Sequence, residues 1–181
     1  MNKTLENKKI AMIIAYKDFR DEEYFIPRDI FIQQGAVVVT VSKEQGIAIG
    51  SNGGEAKVDL SLEELNSTDF DAIVFVGGSG MAKNIDNEIH HYIVRETIEA
   101  KKILAAICIA PLILARAGAL KGKKATVWSN LIDKHAVKIL KEEGVVYQDE
   151  PVVVDGNIIT GRSSMSAKEF ADTIAVSLTK K

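Results

Sequence analysis

Four short apolar runs set the fold class. Residues 10–16 (IAMIIAY), 36–42 (AVVVTVS), 71–78 (DAIVFVGG) and 103–108 (ILAAIC) show no helical period. Runs of this length with both faces apolar read as strands covered on both sides, the habit of parallel sheets flanked by helices. Helix-like segments separate them. EYFIPRDIFIQQ (23–34) closes at Gly35, and 86–101 places Ile89, Ile93 and Ile98 near helical spacing. Residues 109–118 and 131–144 each stop at a glycine, the usual end of a helix. Strand and helix alternate almost throughout, which predicts an α/β domain with a mostly parallel central sheet and helices on both faces.

Smaller features are additions to that plan. Residues 46–50 and 55–60, joined by SNGG, read as a β-hairpin, and Asp155-Gly156 marks a second one. ATVW (125–128) reads as a short strand. Ser61 to Glu64 and Ser166 to Glu169 have capping-box spacing, which predicts a short helix and a C-terminal helix to about residue 180. No repeat or linker interrupts residues 1–181, so one domain is expected.

Composition removes several function classes. Lys plus Arg is 23 against 25 Asp plus Glu, a net charge of −2, so binding nucleic acid by bulk charge is not expected. No run approaches the ~20 apolar residues of a membrane span. The polar start, MNKTLENKK, has no signal-like apolar stretch, and a cytoplasmic location is expected. One cysteine excludes an intrachain disulfide and four-cysteine zinc sites.

Open parallel sheets bind ligands beyond the carboxyl ends of their strands. Cys108 stands at such an end, where a buried strand turns into a helix. It is either a small core residue or a thiol activated at a helix N-terminus, in a turn shaped like a nucleophile elbow. Pro111 suits the first turn of that helix. Gly77-Gly78-Ser79-Gly80 can bring backbone N–H groups close to a ligand or form a plain turn. It is neither a dinucleotide fingerprint nor a P-loop, and no cofactor is expected. The acidic stretch from Asp18 to Glu23 reads as a solvated loop, with one qualification. Pro27 removes the helical hydrogen bond to the Glu23 carbonyl, so a kink or a late helix start can aim Glu23 into a site. His90, His91 and His135 read as surface residues, and no metal site is expected.

Taken together, EEYFIPRDIFIQQG, DAIVFVGGSG, AAICIAPLILARAGALKGKKAT and VVVDGNIITGR make the chain resemble the DJ-1/PfpI family over about residues 8–178. The resemblance implies a flavodoxin-like three-layer α/β/α sandwich of the class I glutamine amidotransferase-like type. It implies that Cys108 is the reactive elbow cysteine and Glu23 the acid that hydrogen-bonds its sulfur. Gly78 and Ile109 correspond to backbone donors for an oxyanion or an oxidised sulfur. Gly77, Trp128 and Arg162 correspond to positions lining the site. Histidine follows the cysteine in the protease-like and glyoxalase-like members, but here that residue is Ile109. The stretch Ser79 to Ala82 also lacks the acid that protease-like members lend to a neighbouring subunit.

The expected function is therefore cysteine chemistry on small reactive carbonyls, glyoxalase- or deglycase-like, in stress protection. The alternative is a non-enzymatic redox-responsive protein whose Cys108 is oxidised to sulfinate. A cysteine peptidase or amidase ranks lower. The resemblance implies a homodimer or higher homo-oligomer, and the helix at 22–34 and the hairpin at 46–60 are alternative candidate contact surfaces. The partner in either leading reading is a small molecule, a carbonyl substrate or an oxidant.

Overall fold

The computed structural model describes residues 4–180. The first half of the chain contains β1 (Lys9–Ile13), β2 (Lys17–Phe19), α1 (Asp21–Gln33), β3 (Val37–Ser42), β4 (Gly46–Gly50), β5 (Glu55–Val58) and β6 (Leu60–Ser61). The middle contains β7 (Ala72–Phe75), α2 (Ser79–Ala82), α3 (Glu88–Glu99), β8 (Ile103–Ile107) and α4 (Pro111–Arg116). The rest contains β9 (Lys124–Ala125), α5 (His135–Glu142), β10 (Val146–Tyr147), β11 (Val152–Asp155), β12 (Ile158–Gly161) and α6 (Ala167–Thr179).

The central sheet has seven strands in the order β11-β12-β8-β7-β1-β3-β6. Every neighbouring pair is parallel except β11–β12, which is the hairpin expected at Asp155-Gly156. The second hairpin, β4–β5, forms a separate small sheet with β2. Side chains alternate across the central sheet. Ala11, Ile13, Ile73, Phe75, Leu104 and Ala106 pack toward α3, α4 and α5. Ile10, Met12, Val74, Ala105 and Ile107 pack toward α1 and α6. Two cores, one on each face, explain why the central strands are largely apolar, and place helices on both sides of the sheet as the alternation predicted, in the three-layer α/β/α sandwich that the resemblance implied.

Helix α1 tolerates Pro27 inside it, and it starts at Asp21, two residues ahead of Glu23. It buries Tyr24 and Phe31 against the sheet, and the Tyr24 hydroxyl meets Thr40 Oγ1 at 2.6 Å. Gly35 follows with φ of 95°, a left-handed conformation that closes the helix at little steric cost.

Several local expectations need correction. His90 and His91 are buried, not on the surface, whereas Ile89 and Ile98 are partly exposed. The rings are accommodated because each finds an acceptor: His91 Nε2 lies 2.8 Å from the Ile85 carbonyl and His90 Nδ1 3.3 Å from that of Asn84. His90 also stands edge-on to Phe75, and burial lowers its pKa to about 4. His135 is exposed, as expected. The Ser61–Glu64 hydrogen bond forms at 2.8 Å, but only a turn follows. Leu62 N–H is committed to the Ser42 carbonyl, and Leu62 and Leu65 are drawn into the core. The capping box near the C-terminus pairs Ser163 with Ser166, opening a 3-10 turn ahead of α6. The strand expected over 125–128 stops at Ala125, and the helix expected from 131 begins at His135. Among the described residues no helix is long and apolar enough to cross a membrane.

Candidate active site

Strand register assembles the site. Ile13 pairs with Phe75, Phe75 with Ala106, and Ile107 with Gly161, so four strands end at one rim. The residues that follow converge there. Cys108 N–H donates to the Gly161 carbonyl at 2.9 Å, and the Cys108 carbonyl accepts from Trp128 N–H at 2.8 Å. These bonds hold Cys108 at φ of 66°, a left-handed conformation that a side chain rarely adopts. It costs roughly 1–2 kcal/mol and marks a sharp elbow. Pro111 takes the first position of α4, as its missing N–H allows.

Glu23 comes to the thiol from the other side. It lies in the first turn of α1, whose entry is fixed by Arg20 N–H donating to the Gly77 carbonyl at 3.1 Å. Its side chain is almost wholly buried, at 1% exposure. The carboxyl is in hydrogen-bonding contact with the Cys108 thiol. Burial raises the Glu23 pKa to about 7, against the opposing pull of the thiol, Arg20 and the Gly77 N–H. Among the described residues, Oε2 is buried with no hydrogen-bond partner.

The thiol behaves differently from the sequence expectation. Burial first, then the charge of Glu23, push Cys108 up to about 12, while the Gly78 and Ile109 N–H groups pull it down. The activation expected at a helix N-terminus is thus outweighed, and α4 is only six residues long. Burial raises both partners, and the Glu23 charge adds to the rise at the thiol alone. The thiol therefore keeps its proton across the neutral range, while the carboxyl beside it gains and loses one within that range.

Above the pair is a cleft of about 390 Å3. It is lined by Gly78, Ala82, Cys108, Ile109 and Trp128, with Arg20, Ser51 and Ser79 supplying polar side chains. The structure thus brings together Cys108, Glu23, Gly77, Gly78, Ile109 and Trp128. It does not bring Arg162 into the cleft lining. That guanidinium turns to Asp149 at 2.5 Å, although its backbone directly follows the Gly161 that holds Cys108. Arg20 and Ser51 were not singled out from sequence. Arg20 sat inside an acidic stretch that reads as solvent-facing, and Ser51 in a hairpin turn. The one local signal was proximity to Glu23. Asp21 seats the hairpin, accepting from Asn52 N–H at 2.8 Å and Gly54 N–H at 2.7 Å.

Among the described residues, no histidine lines the cleft. His90 and His91 are engaged with the 84–85 loop, so neither serves as a base for Cys108.

The model of the DJ-1/PfpI family matches residues 8–176. A protein of Methanocaldococcus jannaschii with no assigned role is 42% identical over 167 residues, covering 92% of this chain and 80% of that one. Deglycase PfpI of Pyrococcus furiosus is 34% identical over 151 residues, 83% of this chain and 88% of that one. The crystal structure of a ThiJ/PfpI domain protein from Brachyspira murdochii superposes with a TM-score of 0.92 at 30% identity, covering 97% and 99% of the two chains. With the family pattern matched along almost its whole length, this chain belongs to the DJ-1/PfpI family.

Proposed function

We propose that the protein is a cysteine-dependent enzyme acting on small reactive carbonyls, in the manner that the deglycase name of its Pyrococcus relative suggests. The observation that carries this reading is the half-buried Cys108 thiol set against the buried Glu23 carboxyl beside Gly77. As sulfur attacks a carbonyl carbon, the thiol proton passes to Glu23, whose pKa of about 7 suits it to accept and return a proton near neutrality. The new S–C bond leaves negative charge on the former carbonyl oxygen. The Gly78 and Ile109 N–H groups that now face sulfur stand next to that oxygen and stabilise it. Glu23 then protonates it, giving a hemithioacetal. A carboxyl at the sulfur does the work that an adjacent histidine would do, while Ile109 brings an apolar side chain to the cleft lining.

Incubating the protein with methylglyoxal and following lactate tests this. Turnover lost in Cys108→Ala and lowered in Glu23→Gln is expected. Absence of turnover, or equal turnover without the thiol, rejects it.

A second reading rests on the same donors. Two N–H groups and a carboxyl that can be protonated also suit a cysteine sulfinate, held by charge-assisted hydrogen bonds. Intact-mass measurement after mild peroxide tests it: a gain of two oxygen atoms at Cys108 is expected, and an unmodified thiol rejects it. A peptidase role has less support, because Ile109 replaces a base beside the thiol.

A further inference from the structure

Among the described residues lining the cleft above Cys108, Arg20 alone is charged. Its backbone is fixed, since Arg20 N–H is bonded to the Gly77 carbonyl and its own carbonyl accepts from the N–H groups of Glu23 and Tyr24. The cation is thus carried on the same glycine pair that abuts the thiol. Its guanidinium is nevertheless little engaged. Nε lies 3.9 Å from Glu22 Oε2, too far for a hydrogen bond, and the Glu22 Oε1 atom accepts from Asn52 instead. Among the described residues no group accepts a hydrogen bond from the guanidinium, and the side chain keeps 43% of its surface exposed. Ser79 supplies a hydroxyl to the same cleft, and Ser51 another that is held only loosely by Asp21 at 3.4 Å. A planar fork of free N–H donors matches a carboxylate in two-point contact.

We propose that Arg20 is a specificity-determining residue that selects small aldehydes carrying a carboxylate beside the carbonyl. This rests on the reading of Cys108 as a carbonyl nucleophile. The carboxylate lies on the Arg20 fork with its oxygens toward the Ser79 and Ser51 hydroxyls, and the aldehyde carbon faces sulfur. The S–H bond breaks and an S–C bond forms. The carbonyl π pair goes to oxygen, which takes up the thiol proton by way of Glu23. The adduct contains every atom of thiol and aldehyde, and no oxidant or reductant takes part. A neutral aldehyde gains nothing from Arg20, and a substrate with bulk beyond the carboxylate meets Trp128.

Protection of Cys108 from iodoacetamide, read by intact mass, tests this with glyoxylate and methylglyoxal as anionic and neutral probes. Half-protection by glyoxylate is expected at about tenfold lower concentration than by methylglyoxal, the effect of one charge-assisted contact. In Arg20→Gln the ratio should fall to within twofold, and in Glu22→Gln, which removes the competing carboxylate, it should widen. Equal protection of the wild-type protein by the two aldehydes overturns the role of Arg20 and leaves the carbonyl reading standing. So does a ratio that survives Arg20→Gln or shrinks in Glu22→Gln. Protection by neither aldehyde removes both.

Discussion

Glu23 and Cys108 meet across Gly77. A side chain at residue 77 would place its Cβ 2.5 Å from Cys108 Cβ and 2.5 Å from Glu23 Oε2. The pairing on which the proposed chemistry rests therefore depends on the absence of one methyl group. It also depends on two elements far apart in sequence, the start of α1 and the end of β8, being aligned by the strands between them.

The first consequence concerns thiol reactivity. Burial holds Cys108 high, and the neighbouring Glu23 charge adds to it. Glu23→Gln removes the charge but keeps the volume. The rate of Cys108 alkylation against pH should then move to lower pH by at least about one unit, with burial still holding it above an ordinary thiol. Iodoacetamide labelling between pH 6 and 11 measures it. A profile unmoved by the substitution means that the two side chains are not coupled.

The same pair leaves a mark on stability. Glu23 is raised from 4.5 to about 7, so the folded state binds a proton that the unfolded chain releases. Its contribution is complete below pH 4.5 and is lost as pH rises to about 7, an effect on the order of 3 kcal/mol before solvent and coupling reduce it. His90 acts in the opposite sense. Its pKa is lowered from 6.5 to about 4, so stability from keeping it neutral is present above 6.5 and is lost as pH falls toward 4. The windows overlap and the signs oppose, so the wild-type protein should show little net slope from these groups between pH 4.5 and 6.5. Glu23→Gln should uncover the histidine, with urea midpoints rising as pH rises through that window. A flat profile in the variant contradicts the assignment.

Sequence carried most of the fold and part of the site. Strands such as 71–78 are apolar on both faces, and that pattern has few readings other than a covered parallel strand. Cys108 was legible because a strand ran directly into a helix, and Glu23 because Pro27 marks its helix. The histidines misled, because polarity is only a statistical guide to exposure. His90 and His91 are buried on the strength of loop carbonyls at Asn84 and Ile85, which no local pattern announces. Arg20 was hidden for a similar reason: its place at the cleft is set by a bond to the Gly77 carbonyl, more than fifty residues away.

Asp21 provides a test of how the cleft wall is held. Its two oxygens each accept from a backbone N–H of the β4–β5 turn, and Gly50 and Gly54 pack directly on the carboxylate. Asp21→Ala leaves both N–H groups without that acceptor and opens a hole beneath the glycines. A loss of about 2–3 kcal/mol is expected, from two charge-assisted hydrogen bonds partly replaced by water. Amide hydrogen exchange at Asn52 and Gly54 should rise much more than in β8. Uniform exchange across the fold would mean that the turn is not separately anchored.

Gly77→Ala tests the relationship most directly. Its φ is not in the left-handed region, so backbone strain plays no part, and the clash is with the Cys108 and Glu23 side chains and, at 2.9 Å, with the Ile107 carbonyl. The carbonyl belongs to a central strand and cannot move far. The two side chains must give way, and they can do so only by separating. Overpacking of this kind typically costs 1–3 kcal/mol. The specific expectation is a divorce of stability from chemistry: a melting temperature lowered by several degrees, with Cys108 alkylation shifted toward the profile of Glu23→Gln. A variant that melts lower but keeps the wild-type alkylation profile would show that the methyl is absorbed elsewhere. In that case the thiol and carboxyl are held together by more than the gap at Gly77.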